Sequence, residues 1–166
     1  RNHGRSLSLA VSAAPILLVG AGRMGGALIQ GWRRTEAFAP TDLIVRDPAV
    51  GPEALAAAAA GARLSPPDAT LAEARTVLLA VKPQVWRDTA PALAPLLAPD
   101  AVVVSILAGV RLADLQAGFG ECCVDPVSGI GVLFFELRVV WQIDGIESDE
   151  FCELRENLCT LAANVL

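Results

Sequence analysis

Short runs of continuously apolar residues recur through the first two-thirds of the chain, and stretches with helix-like spacing separate them. In the first run, Ile16–Val19, every position is apolar, which is typical of a parallel strand buried on both faces. The runs predict five strands, at Ile16–Val19, Leu43–Arg46, Ala62–Leu64, Thr76–Val81 and Ala101–Leu107.

The intervening stretches predict helices. Pro91 and Pro95 are expected to interrupt the fourth of these helices, and Gly118 to end the last. The alternation predicts an α/β fold, a doubly wound parallel sheet that is Rossmann-like, with ligand bound across the carboxyl ends of the strands. The predicted helices are Met24–Arg34, Pro52–Ala60, Thr70–Ala74, Trp86–Leu97 and Arg111–Ala117.

A glycine motif follows the first strand directly. The sequence runs Gly20-Ala21-Gly22-Arg23-Met24-Gly25, which is Gly-x-Gly-x-x-Gly between an apolar run and a helix. In this context the glycines allow a sharp turn, a close approach to phosphate and tight helix packing, and the helix N-terminus attracts the anion. The motif predicts binding of a dinucleotide pyrophosphate, and the alternative is a purely structural turn.

Composition narrows the function classes. The chain is 54% hydrophobic, and it has neither a basic patch that indicates nucleic acid nor an apolar run of membrane-spanning length. Its cysteines lack zinc-site spacing and His3 is the only histidine, so no metal is expected. Reduced thiols favour a cytoplasmic protein. The cysteines are Cys122, Cys123, Cys152 and Cys159.

The character of the chain changes near residue 119. Residues 1–118 hold 27 alanines and a net charge of +2, whereas the remainder holds 2 alanines, all four cysteines and a net charge of −7. There Val132–Phe135 and Leu137–Trp141 predict one or two strands, and Ser148–Leu166 a helix. We therefore expect an atypical C-terminal tail, from a frame change, fusion or truncated gene or from genuine divergence.

Three domains follow from these patterns. Residues 1–14 are expected to be a disordered leader, with a poor signal peptide as the alternative. Residues 15–118 are expected to be a dinucleotide-binding domain, and residues 119–166 a divergent tail of uncertain origin.

Three segments together resemble the N-terminal domain of pyrroline-5-carboxylate reductase. They are Val19–Gly25, then Leu79-Ala80-Val81-Lys82-Pro83-Gln84, then Val103–Val110, in the order and spacing of that family. The resemblance covers about residues 15–118 and implies NADPH or NADH as cofactor. It implies cofactor contacts at Val19, Gly20, Ala21, Gly22, Arg23, Met24, Gly25, Arg46, Asp47, Ala80, Val81, Lys82, Pro83, Ile106, Leu107, Ala108 and Gly109.

The choice between NADP and NAD stays open on the residues. Asp47 lies 22 residues after Gly25, the spacing of a carboxylate that binds both ribose hydroxyls of NAD. Arg46 or Arg23 could offset that charge beside a 2′-phosphate. Pro67-Asp68 stands where the family often has an Asn that contacts the ribose. Because the resembled family often prefers NADPH, we expect NADP slightly more than NAD.

The resemblance implies reduction of 1-pyrroline-5-carboxylate to proline, the last step of proline biosynthesis, by hydride transfer to a cyclic imine. The family's all-helical domain, which binds substrate and forms homo-oligomers, is not recognisable in this chain, so no catalytic residue is assigned and we expect the isolated chain to be inactive. A non-catalytic NAD(P)-binding module is the alternative.

A 3-hydroxyacid dehydrogenase is a third interpretation. Asp125-Pro126-Val127-Ser128-Gly129 resembles the substrate loop of that family, but Lys82 is the only lysine and cannot supply its later catalytic base.

Overall fold

The computed structural model describes residues 14–107, 109–119, 131–134 and 140–142. Several sequence predictions lie outside these residues. They concern the leader at residues 1–13, Ala108, the four cysteines, the loop Asp125–Gly129 and the helix Ser148–Leu166.

Seven strands form one sheet. They are β1 (Ile16–Val19), β2 (Leu43–Arg46), β3 (Arg63–Leu64), β4 (Thr76–Leu79), β5 (Val102–Ser105), β6 (Gly131–Phe134) and β7 (Val140–Gln142). Their order across the sheet is β3-β2-β1-β4-β5-β6-β7. Every neighbouring pair through β6 is parallel, and β7 runs antiparallel to β6.

Four α-helices accompany these strands in the described residues. They are α1 (Arg23–Thr35), α2 (Pro52–Ala59), α3 (Trp86–Leu93) and α4 (Leu112–Phe119). Short 3₁₀ helices lie at Pro40–Asp42, Asp68–Glu73 and Ala94–Leu96. None of the helices in the described ranges is long and apolar enough to cross a membrane.

The two faces of the sheet bury separate cores. Because side chains alternate along a strand, Leu17 and Val19 of β1 enter one core whereas Ile16 and Leu18 enter the other. The first core receives α3 and α4, and the second receives α1 and α2. Helices on both faces of a parallel sheet confirm the predicted doubly wound, Rossmann-like fold, and explain why its strands are continuously apolar.

Two helix boundaries differ from the sequence prediction. Pro91 lies inside α3, and the helix changes to 3₁₀ geometry only at Ala94, next to Pro95. Gly118 was expected to end the last helix, but α4 continues to Phe119. A Cβ at Gly118 would lie 2.8 Å from Cζ3 of Trp86, so this glycine allows close packing of α4 on α3 instead of forming a cap.

The third difference is a short helix. Thr70–Ala74 was predicted as a helix, and the structure has a 3₁₀ helix at Asp68–Glu73. The double proline Pro66-Pro67 precedes it, and Pro67 has φ −52° and ψ 145°, outside helical geometry, so no longer helix begins upstream.

Two strands lie beyond residue 119. β6 pairs with β5 through Gly131 opposite Val104, and β7 pairs back on β6. The sequence pattern predicted one or two strands in this stretch. The division of the chain at residue 118 stays a prediction.

We expect Leu115→Ala in α4 to lower the free energy of unfolding by about 2–5 kcal/mol, because it deletes a fully buried side chain and leaves a cavity. Leu55→Ala in α2 is the matched control. Leu55 is 57% exposed, so its truncation should change stability by no more than about 0.5 kcal/mol. Urea unfolding of both variants measures the difference, and equal losses would contradict the packing of α4 on the sheet.

Candidate dinucleotide site

All five strands from β1 to β5 end at one edge of the sheet, because they run parallel. The chain places β2 and β3 on one side of β1, and β4 and β5 on the other. The order therefore reverses between β1 and β4, and a crevice at such a point is where doubly wound sheets bind ligands.

Backbone hydrogen bonds continue past the strands at this edge. The Ala80 N–H donates to the Val19 carbonyl oxygen at 2.8 Å, and the Gly20 N–H donates to that of Arg46 at 2.9 Å. The Ile106 N–H donates to the carbonyl oxygen of Leu79 at 3.2 Å. The loops that follow β1, β2, β4 and β5 are thus held against one another before any ligand enters.

Gly20 brings the loop after β1 into close backbone contact with the loop after β4. Its φ is +94°, a conformation that disfavours any residue with a side chain. A Cβ there would lie 2.7 Å from the carbonyl oxygen of Ala80 and 2.8 Å from the nitrogen of Val81. The loop after β4 therefore requires a glycine at the first position of the motif. The family resemblance named this loop separately, as the segment Leu79–Gln84.

The second glycine faces open space. A Cβ at Gly22 would have no atom within 4 Å among the described residues, whereas one at Gly25 would clash with the Gly20 carbonyl oxygen. Gly22 is the N-cap of α1, and it supplies no side-chain acceptor to the first turn. The Gly26 N–H bonds back to the Gly22 carbonyl oxygen at 2.7 Å. The backbone N–H groups at the start of α1, before Gly26, suit an anion such as a pyrophosphate.

Asp47 connects β2 to the glycine loop. One carboxylate oxygen, Oδ2, accepts the N–H of Ala21 at 2.5 Å, and the other, Oδ1, accepts the N–H of Ala49 at 2.6 Å. Two backbone donors therefore fix the carboxylate beside the glycine loop. This is where the ribose nearest the pyrophosphate would lie in a fold of this kind.

The Arg46 side chain extends from the end of β2 to the segment after β3. Its Nη1 donates to Oδ1 of Asp68 at 2.7 Å and lies 3.5 Å from the Pro66 carbonyl oxygen. The sequence prediction did not include Asp68 among the site residues, although it placed Pro67-Asp68 where the resembled family often has an Asn that contacts the ribose. That placement is the signal that could have added Asp68 to the predicted site.

A further pair of charges, Arg111 and Asp114, lies at the start of α4, which follows β5. Arg111 donates from Nε to Oδ2 of Asp114 at 2.9 Å and from Nη2 to Oδ1 at 3.1 Å. The side-chain hydrogen bond from Arg111 lowers the pKa of Asp114 below its ordinary value. Within the described ranges, no cluster of three or more His, Cys, Asp or Glu side chains could hold a metal ion.

The predicted contact residues divide by exposure. The side chains of Val19, Ala21 and Leu107 belong to the two cores, so only their backbone is available to a ligand. Ala108 lies outside the described residues, and the contacts themselves stay predictions. The other predicted residues lie at the carboxyl edge, and these are Gly20, Gly22, Arg23, Met24, Gly25, Arg46, Asp47, Ala80, Val81, Lys82, Pro83, Ile106 and Gly109.

Comparison with curated proteins finds a pyrroline-5-carboxylate reductase of Pseudomonas aeruginosa. It is 34% identical over 112 residues, which are 67% of this chain and 41% of that protein. The chain therefore matches less than half the length of this relative.

Solved structures share the fold. A pyrroline carboxylate reductase of Plasmodium falciparum, with NADP bound, superposes with a TM-score of 0.64 at 14% identity, over 89% of this chain and 55% of that one. A prephenate dehydrogenase of A. aeolicus, in complex with hydroxyphenyl propionate and NAD⁺, has a TM-score of 0.60 at 16% identity, over 95% and 59%. At such low identity these likenesses show the fold alone.

A family model described as "NADP oxidoreductase coenzyme F420-dependent" matches residues 15–109, which include the glycine loop and the ends of strands β1 to β5. The chain therefore belongs to this oxidoreductase family, and a curated protein that it resembles is a pyrroline-5-carboxylate reductase.

Proposed function

We propose that this chain binds NAD(P)H at the carboxyl edge of its sheet and is the cofactor-binding part of a pyrroline-5-carboxylate reductase. The observation that carries the proposal is the glycine loop. Gly20 is packed on the Ala80–Val81 peptide at the point where the strand order reverses, and Gly22 opens onto free space at the N-terminus of α1. This arrangement suits a dinucleotide pyrophosphate.

The substrate proposed is 1-pyrroline-5-carboxylate, and the product is proline. The name of the Pseudomonas aeruginosa relative supports this reaction, as do the three motifs that resemble the family in order and spacing. A place in proline biosynthesis, a cytoplasmic location and homo-oligomers in the complete protein belong to the same proposal, with neither nucleic acid nor membrane as a partner.

The chain's own contribution to the reaction would be binding and orientation. When bound, the nicotinamide supplies the hydride. The glycine loop and the α1 N-terminus would hold the pyrophosphate, and Asp47 the adenosine ribose. Backbone groups of Ala80–Pro83 and Ile106–Gly109 would position the nicotinamide end, because strand ends joined by hydrogen bonds are rigid.

A non-catalytic NAD(P)-binding module is the second candidate. The observation that favours it is that the residues assigned at the carboxyl edge would all contact the cofactor, and none is assigned to a substrate. The resemblance assigns substrate binding to the helical part of that family and not to its cofactor-binding part. The loop Asp125–Gly129, on which a 3-hydroxyacid dehydrogenase would depend, lies outside the described residues.

We expect Gly22→Asp to abolish NAD(P)H binding without unfolding the protein. Asp is a favourable N-cap, so the stability of α1 should be kept or raised. Its carboxylate would occupy the space proposed for the pyrophosphate and repel it, weakening binding by about a hundredfold or more, or about 2.7 kcal/mol. Fluorescence titration with NADH and NADPH measures binding, and thermal unfolding measures stability.

Gly22→Asn is the matched control. It has the same size and capping preference but no charge, so it should fold equally well and bind more tightly than Gly22→Asp. Unchanged affinity in Gly22→Asp would show that the pyrophosphate does not lie at the N-terminus of α1.

We further expect the isolated chain to bind NAD(P)H and to show little or no oxidation of it when 1-pyrroline-5-carboxylate is added. The reason is that the residues assigned so far position the cofactor only. Loss of absorbance by the reduced nicotinamide is the measurement. Robust turnover would contradict the dependence on a further substrate-binding part, and failure of the folded chain to bind either cofactor would overturn both candidates.

A further inference from the structure

We propose that the adenosine end of this site selects NADH over NADPH, because Asp68 holds Arg46 in an ion pair while Asp47 is fixed against the glycine loop. The inference rests on the proposed function, since it presupposes that a nicotinamide dinucleotide binds at this edge. It assigns to Asp68 a role as a positioning residue for cofactor choice.

Asp47 is the first residue that contributes to the proposed preference for NADH. Its two oxygens accept the N–H groups of Ala21 and Ala49 at 2.5 and 2.6 Å, and each oxygen keeps a second lone pair for a ribose hydroxyl donor. The 2′-hydroxyl of NADH can donate to it. The 2′-phosphate of NADPH carries negative charge at neutral pH, and the two backbone bonds hinder the carboxylate from turning away.

Arg46 is the second residue that contributes to this preference. In the sequence it is the cation nearest to Asp47, so it is the natural candidate to attract a 2′-phosphate. In the structure its guanidinium donates to Asp68 at 2.7 Å and is directed to the loop after β3. With Asp47, Asp68 and Arg46 together, this end of the site carries two negative charges against one positive charge. A phosphate that drew Arg46 away would leave the Asp68 carboxylate unpaired beside it.

The loop that carries Asp68 is tied to β2. The N–H of Ser65 donates to the Val45 carbonyl oxygen at 2.7 Å, and its hydroxyl donates to the Asp47 carbonyl oxygen at 3.3 Å. Pro66-Pro67 then restricts the backbone up to Asp68. The carboxylate partner of Arg46 is therefore presented by a backbone that is itself anchored next to Asp47.

Arg23 is another cation at this edge, and it lies exposed in the first turn of α1. In the competing outcome, Arg23 binds the 2′-phosphate, and this attraction outweighs the repulsion from the carboxylates of Asp47 and Asp68. The NADP in the Plasmodium falciparum structure does not decide the matter, because that likeness is one of fold at 14% identity.

The test compares dissociation constants for NADH and NADPH on the full chain by fluorescence titration. We expect the wild type to bind NADPH about tenfold more weakly or worse, equivalent to about 1.4 kcal/mol. Asp68→Asn should release Arg46 and improve NADPH binding several-fold, while NADH binding changes by less than about twofold. Adding Arg46→Gln to Asp68→Asn should remove that improvement.

Glu73→Gln is the matched control. It neutralises the acid of a second exposed ion pair, Arg63–Glu73 at 2.6 Å, which bridges β3 and the same 3₁₀ helix. It should leave the ratio of the two dissociation constants unchanged. A high ionic strength should narrow the wild-type ratio, because exposed charges are screened.

Equal or tighter binding of NADPH by the wild type would overturn the inference, as would an unchanged ratio in Asp68→Asn. If Arg23→Gln alone then weakens NADPH, Arg23 is the determinant. If a folded chain binds neither cofactor, the proposed function itself fails, which is a different result from a wrong ratio.

Discussion

The close backbone contact between Gly20 and the Ala80–Val81 peptide is the constraint on which the rest of the site depends. It joins the loop after β1 to the loop after β4 at the point where the sheet reverses its order. A side chain at Gly20 would force these loops apart, and the hydrogen bond from Ala80 to Val19 would be lost with them. The pyrophosphate and nicotinamide ends of the proposed site are thus positioned by one contact.

The two hydrophobic cores explain why this contact can be rigid. Each face of the sheet is covered by helices, and the buried side chains alternate between the cores along every central strand. Strands that are packed on both sides cannot shift their register without exposing apolar surface to water. The loops at their carboxyl ends are hydrogen-bonded to these strands and are therefore rigid as well. Rigid loops favour a site formed largely by backbone groups.

Charge distinguishes the adenosine end from the rest of the site. The glycine loop and α1 offer N–H donors to an anion, whereas Asp47 and Asp68 place two carboxylates close by. In the proposed complex, N–H donors would hold the pyrophosphate and carboxylate acceptors the adenosine ribose, which would give the cofactor a fixed direction across the sheet. In that proposal Asp68, which has no place in the glycine motif, contributes to the charge near the motif's ligand.

The sequence by itself determined the fold class and predicted the location of the site. Continuous apolar runs such as Ile16–Val19 marked the buried strands, and the glycine motif predicted a phosphate-binding loop, because both signals are local in the chain. Only the tertiary structure decided the contacts between distant segments. Asp47 meets Ala21 across 26 residues, Arg46 meets Asp68 across 22, and Gly118 meets Trp86 where a helix end was predicted. Side-chain pairing and close helix packing depend on which surfaces the fold brings together, and no spacing along the chain specifies that.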